Sequence, residues 1–139
     1  MTLPTIVSRL PEVGASIFAV MSHMAGEAGA INLSQGFPDF DVPAPLVDLV
    51  TKAMHDGRNQ YAPMPGDPVL RDVIARTIGA TYGIAVDPGS DITVTAGATE
   101  AIFSAVCALV GPGDEAILFD PAYDAYDPAI RLAGGVPVH

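Results

Sequence analysis

Three small residues and a hydroxyl, Ala96-Gly97-Ala98-Thr99, form the stretch of this chain best placed to bind an anion. A β-branched alternation, Ile92-Thr93-Val94-Thr95, runs into them, and a long apolar helical pattern leaves them at once. That order reads as strand, tight turn and helix N-terminus. The first turn of a helix has N–H groups without intrahelical partners and carries the positive end of the helix dipole, so it attracts phosphate. Gly97 and Ala98 let a phosphate reach the backbone, and Thr99 adds a hydroxyl donor. The sequence lacks both G-x-x-x-x-G-K and G-x-G-x-x-G, so neither a Walker loop nor a dinucleotide fingerprint is present. Read alone, the turn also suits an ordinary βα connection packed with small residues.

A second element follows the next strand, in F-D-P-A-Y-D-A-Y. Ligands of open α/β sheets bind beyond the carboxyl ends of the strands, which is where this order puts Tyr123. An aromatic ring and a phosphate site at one sheet edge suit a flat, phosphorylated, aromatic cofactor. The plainer alternative is that Tyr123 and Tyr126 pack on the sheet.

The elements that must position these groups are legible in outline. Residues 1–45 read as an irregular arm with a helix near 15–28, then a loop, N-L-S-Q-G-F-P-D-F, rich in turn formers. Residues 46–90 read as a helical segment. One helix opens at Pro45, runs to about Asp56 and is stopped by Gly57. A loop follows, and Asp67 with Pro68 caps a second helix ending near Gly83. Residues 91–139 alternate strand 92–95, helix 99–110, strand 116–119, helix 124–133 and a strand from Val136. That alternation predicts an α/β fold with a parallel sheet and crossover helices. The helix from Thr99 is apolar nearly all round and is expected to lie buried, with Cys107 as a small core residue. Asp120, Asp124 and Asp127 read as helix-capping and first-turn acids. The sheet is unfinished at His139, so the expectation is the N-terminal portion of a longer protein.

Composition narrows the function classes. The 139 residues are 50% hydrophobic and 16% charged, with a formal net charge of −10. So acidic a chain, with six Lys plus Arg, is a poor partner for nucleic acid or an anionic membrane. No uncharged apolar run reaches the ~20 residues of a membrane span. No signal-peptide pattern opens the chain. Cys107 is the only cysteine, which permits no internal disulfide and fits a cytoplasmic location. His23, His55 and His139 lack metal-ligand spacing, and no metal site is expected.

Four runs occur in order: N-L-S-Q-G-F-P-D-F, N-Q-Y-A-P-M-P-G, T-A-G-A-T-E-A-I and G-D-E-A-I-L-F-D-P-A-Y-D-A-Y. From about Phe18 to His139 the chain resembles the class I pyridoxal-phosphate aminotransferases of fold type I. The likeness is greatest to the branch of methionine, kynurenine and glutamine aminotransferases and cysteine-conjugate β-lyases. The resemblance implies the N-terminal arm and the first half of the large domain, a three-layer αβα architecture with a mainly parallel sheet. It implies pyridoxal 5′-phosphate as cofactor, an amino acid and a 2-oxo acid as substrates, and a homodimer. Gly97, Ala98 and Thr99 match the phosphate-binding turn, and Tyr123 matches the aromatic stacked on the pyridine ring. Tyr61 matches the tyrosine that reaches the neighbouring subunit's phosphate. Gly36 matches the loop contacting the substrate carboxylate, and Phe18 falls where a substrate side-chain contact is placed.

One departure is large. The family's reaction needs a lysine bonded to the cofactor, and the only lysine here is Lys52, on the polar face of its helix between Asp48 and Asp56. No catalytic residue is therefore expected in this chain, only groups that bind phosphate, ring and substrate. The resemblance implies transamination, with β-elimination on a cysteine conjugate as the alternative within the family. A non-catalytic phosphate-binding or scaffold domain is the alternative outside it.

Overall fold

A computed structural model describes residues 7–34, 36 and 38–139. The chain divides into two compact units, Pro38–Thr95 and the combination of Met1–Phe37 with Ala96–His139.

In the second of these units the strand order expected from the sequence takes shape as a β-α-β crossover. Strand β1 (Glu115–Ile117) pairs in parallel with β2 (Val136–Val138), with Glu115 opposite Val136 and Ile117 opposite Val138. The Leu118 N–H extends the pairing to the Val138 carbonyl at 2.8 Å. The crossover helix α5 (Tyr126–Ala133) buries Ala129 and Ile130, the best-covered hydrophobic side chains of this unit. It ends at Gly134, whose φ of 92° is open to glycine and strained for other residues. Gly135 follows in a tight place. A Cβ there would stand 2.4 Å from Val110 Cγ1 and 3.1 Å from Ile130 Cγ2, so only hydrogen fits. Helix α4 (Ala98–Leu109) packs along α5. Helix α1 (Ile17–Glu27) is capped by Ser16, whose Oγ accepts from the Ala19 N–H at 3.3 Å.

The other unit holds α2 (Ala44–His55) and α3 (Pro68–Tyr82). Asp67 caps α3 as expected, accepting from Val69 and Leu70 N–H at 2.8 and 3.2 Å, and Gly83 closes it with φ 69°. The guanidinium of Arg71, on α3, is buried and donates to the Gly89 carbonyl at 2.7 Å.

Several expectations are corrected. Residues 92–95 are not a strand, because a strand exists only through a ladder partner. Instead Val94 donates its N–H to the Pro65 carbonyl at 3.0 Å, and Ile92 is buried. The β-branched pattern marked a covered segment, and pairing is a tertiary property. The ladder among the described residues therefore has two strands rather than three. Helix α4 has no buried residue, and Phe103, Cys107 and Leu109 are exposed. An all-round apolar helix needs neighbours on every side, and among the described residues α5 is the one helix or strand packed extensively on it. Asp124 does not cap α5. The helix starts two residues later from Ala125, and only Asp127 serves in its first turn.

Candidate functional site

The turn into α4 has the features an anion site needs. Gly97 is its N-cap at φ 89°, ψ 170°, a region essentially reserved for glycine, and it supplies no side-chain cap. A Cβ built on Gly97 meets nothing within 4 Å, so the space over the turn is open. The opening N–H groups of α4, from Ala98 onward, are those a helix leaves without intrahelical acceptors. Glu100, in the first turn, folds its carboxylate back onto the Ala96 N–H, a contact that sequence spacing alone did not reveal. Its signal was present in half: the acid stands three residues after the cap, as in a capping box. The glycine cap has no side chain to reciprocate, and the carboxylate takes the N–H one residue earlier.

Tyr123 joins this turn directly. Its hydroxyl lies 3.2 Å from Thr99 Oγ1, across 24 residues of sequence. Tyr126 fixes the ring of Tyr123 in an edge-to-face arrangement, with centroids 5.7 Å apart and planes at 78°. The Tyr126 N–H also donates to the Tyr123 carbonyl at 3.1 Å. Residues 97, 98, 99 and 123 are thus one surface, as the sequence suggested. Beside it, Thr99, Glu100, Phe103, Pro128 and Leu132 line an open apolar cavity of about 510 Å³ between α4 and α5.

The loop carrying Tyr123 is clamped at its two ends. His139 Nδ1 lies 3.1 Å from Asp120 and Nε2 lies 3.2 Å from Asp127. Arg131 binds the same Asp127 with two nitrogens, at 2.5 and 3.1 Å. The hydrogen bond to Asp120, then that to Asp127, holds the His139 imidazolium and raises its pKa above the usual value. The Arg131 hydrogen bond is the main cause that lowers the Asp127 pKa. No sequence motif announces this cluster, because its members stand 19 and 12 residues apart from His139.

Gly36 is exposed, and its neighbours Gln35 and Phe37 lie outside the described residues. The loop before it is tied to α1 by Asn32 Nδ2, which donates to Ser22 Oγ at 3.0 Å. Phe18 is half-buried in the first turn of α1. Tyr61 belongs to the other unit and is fully exposed. Lys52 Nζ pairs with the Asp56 carboxylate on the surface of α2, as a solvated charge.

With this geometry in place, similarity to known proteins decides the family. The model of "Aminotransferase class I and II" matches residues 28–139. The chain belongs to the class I and II aminotransferase family. The methionine aminotransferase of Escherichia coli K12 is 54% identical over 129 residues, which are 93% of this chain and 33% of that protein. The mouse kynurenine–oxoglutarate transaminase 3 is 35% identical over 131 residues, covering 94% of this chain and 29% of that protein. Among solved structures, Escherichia coli YbdL, described as having a methionine aminotransferase function, superimposes with a TM-score of 0.89 at 53% identity. That match covers 97% of this chain and 36% of YbdL. The chain spans about a third of the length of the curated aminotransferases it matches. Its β-α-β crossover with flanking helices is part of the fold type I aminotransferase architecture. No helix among the described residues is long and apolar enough to cross a membrane.

Proposed function

We propose that this chain forms the phosphate- and ring-binding part of a pyridoxal-phosphate-dependent aminotransferase. The observation that carries the reading is the meeting of Thr99 with Tyr123 beside the open N-terminus of α4. The donor set fits the cofactor's two binding handles. The amides opening α4 and the Thr99 hydroxyl suit a phosphate dianion, and the dipole adds attraction. Tyr123, 43% exposed, presents aromatic surface able to cover a pyridine ring and exclude water from one face. When bound, pyridoxal phosphate supplies an electron-withdrawing ring that makes the α-proton of an amino acid acidic.

The chain's own residues bind and orient; they do not move that proton. Lys52 is a surface charge paired with Asp56, and in this reading the lysine bonded to the cofactor belongs to the two thirds of the relatives' length that this chain does not span. In this reading residues 1–45 are the arm and substrate-entrance loop, 46–90 a helical segment with an inter-subunit loop, and 91–139 part of the cofactor domain. Gly36 offers backbone to a substrate carboxylate, and Phe18 borders the substrate side chain. The exposed Tyr61 reaches the phosphate of a second copy, which makes the working form a homodimer. The substrates are an amino acid and a 2-oxo acid, and the location is cytoplasmic.

The test uses the protein expressed from its full open reading frame. Thr99→Ala removes one charge-assisted hydrogen bond, and the expected loss of pyridoxal phosphate affinity is ~1.5–3 kcal/mol. Equilibrium dialysis against the wild type measures it. Unchanged affinity refutes the phosphate assignment. Retained phosphate binding without amino transfer favours a non-catalytic binding domain.

A further inference from the structure

We infer that the Tyr123 hydroxyl is a positioning group for the cofactor phosphate, acting through Thr99 without touching the phosphate itself. The inference rests on the phosphate reading above and adds a role for Tyr123 distinct from ring stacking.

The argument is one of proton counting. In the Thr99–Tyr123 bond either hydroxyl can be the donor. A threonine hydroxyl has one proton to give and two lone pairs to receive with. A phosphate dianion is an acceptor only. Once Thr99 donates to it, Thr99 has no proton left for Tyr123. The shared bond must then run from Tyr123 O–H to Thr99 Oγ1. Ligand binding thus turns an ambiguous pair into a directed chain, Tyr123 to Thr99 to phosphate. Donation into Oγ1 polarises the Thr99 O–H and strengthens its bond to the anion. It also holds the Thr99 rotamer before the ligand arrives, removing part of the ordering cost of binding.

The surroundings suit this role. Tyr123 does not hang free on its loop. The edge-to-face contact with Tyr126 sets its ring plane, and the Tyr126 N–H holds its carbonyl. Tyr126 is also the first residue of α5, so the loop bearing the hydroxyl is anchored to the helix that packs along α4. A phenylalanine at 123 keeps the ring, the Tyr126 contact and the stacking surface, and removes only the donor.

The experiment measures binding of pyridoxamine 5′-phosphate and of pyridoxamine to the protein from the full open reading frame. Neither probe forms a covalent bond to a lysine, so both report non-covalent affinity. The variants are Tyr123→Phe, Thr99→Val and the double variant, with thermal melting as the folding control. At 3.2 Å the bond is long for two hydroxyls, so the effect belongs at the low end. Tyr123→Phe is expected to weaken the phosphorylated probe about threefold and leave pyridoxamine unchanged. In the Thr99→Val background the same change is expected to do nothing further. If Thr99→Val weakens the phosphorylated probe but Tyr123→Phe does not, the inference is overturned and the phosphate site stands. Equal loss for both probes, or additive losses in the double variant, overturns it too. If neither single variant discriminates between the probes, the phosphate assignment itself falls, and the inference with it.

Discussion

Gly97→Ala separates the two demands placed on one turn. At φ 89° and ψ 170° the backbone of Gly97 sits in a region that costs other residues about 1–3 kcal/mol. The new methyl meets no protein atom within 4 Å, so steric overlap with the protein adds nothing. Opposing this, alanine stiffens the unfolded chain and returns about 0.4–1 kcal/mol. The net destabilisation is about 0–2.6 kcal/mol, which lowers Tm by up to roughly 10 °C for a chain of this size. The methyl also projects into the open space proposed above for the anion. Phosphate affinity is therefore expected to fall by more than the fold is weakened. The assay pairs melting of the ligand-free protein with pyridoxamine 5′-phosphate binding at a temperature where both proteins are folded. A raised Tm contradicts the left-handed turn. A lowered Tm with full affinity contradicts the placement of the phosphate, whatever the strain.

Two further outcomes test the frame around the site. Gly135→Ala forces a Cβ to within 2.4 Å of Val110 Cγ1 and 3.2 Å of the Asp114 carbonyl, so the short, branched Val110 side chain or the backbone must shift. The expected cost is about 1–3 kcal/mol by urea unfolding, and a neutral result refutes the close packing of Gly135 on Val110 and Asp114. His139 is stabilised as a cation by Asp120 and Asp127, and Arg131 shares the Oδ2 of Asp127 with it. Its folded pKa is raised, so its contribution is full below the ordinary histidine value and fades as pH rises through the raised one. Asp127 has the opposite sign. Its pKa is lowered, so its contribution is present above the ordinary carboxylate value and fades as pH falls through the lowered one. His139→Phe is therefore expected to lose more stability against wild type at about pH 5.5 than at about pH 8.5. Equal losses at the two pH values refute the clamp.

Much of the molecule was decided by local chemistry, and local chemistry is what a sequence displays. Asp67 followed by Pro68 caps α3 because a carboxylate and a missing N–H both suit a helix start wherever it lies. Gly83 and Gly134 end helices because few other residues accept their dihedral angles. The glycine turn into α4 was readable for the same reason, since Ala96 to Thr99 carry their geometry with them. What the sequence left open required distant groups to meet. The alternation at 92–95 specified burial, yet the Val94 N–H found a loop carbonyl at Pro65 in place of a strand. The apolar circumference of α4 did not say which neighbours would cover it, and Cys107 stayed exposed. Helix, cap and turn follow from a few adjacent residues. The Thr99–Tyr123 bond and the His139 clamp follow only when the β-α-β crossover brings residues 12 to 24 positions apart to one sheet edge.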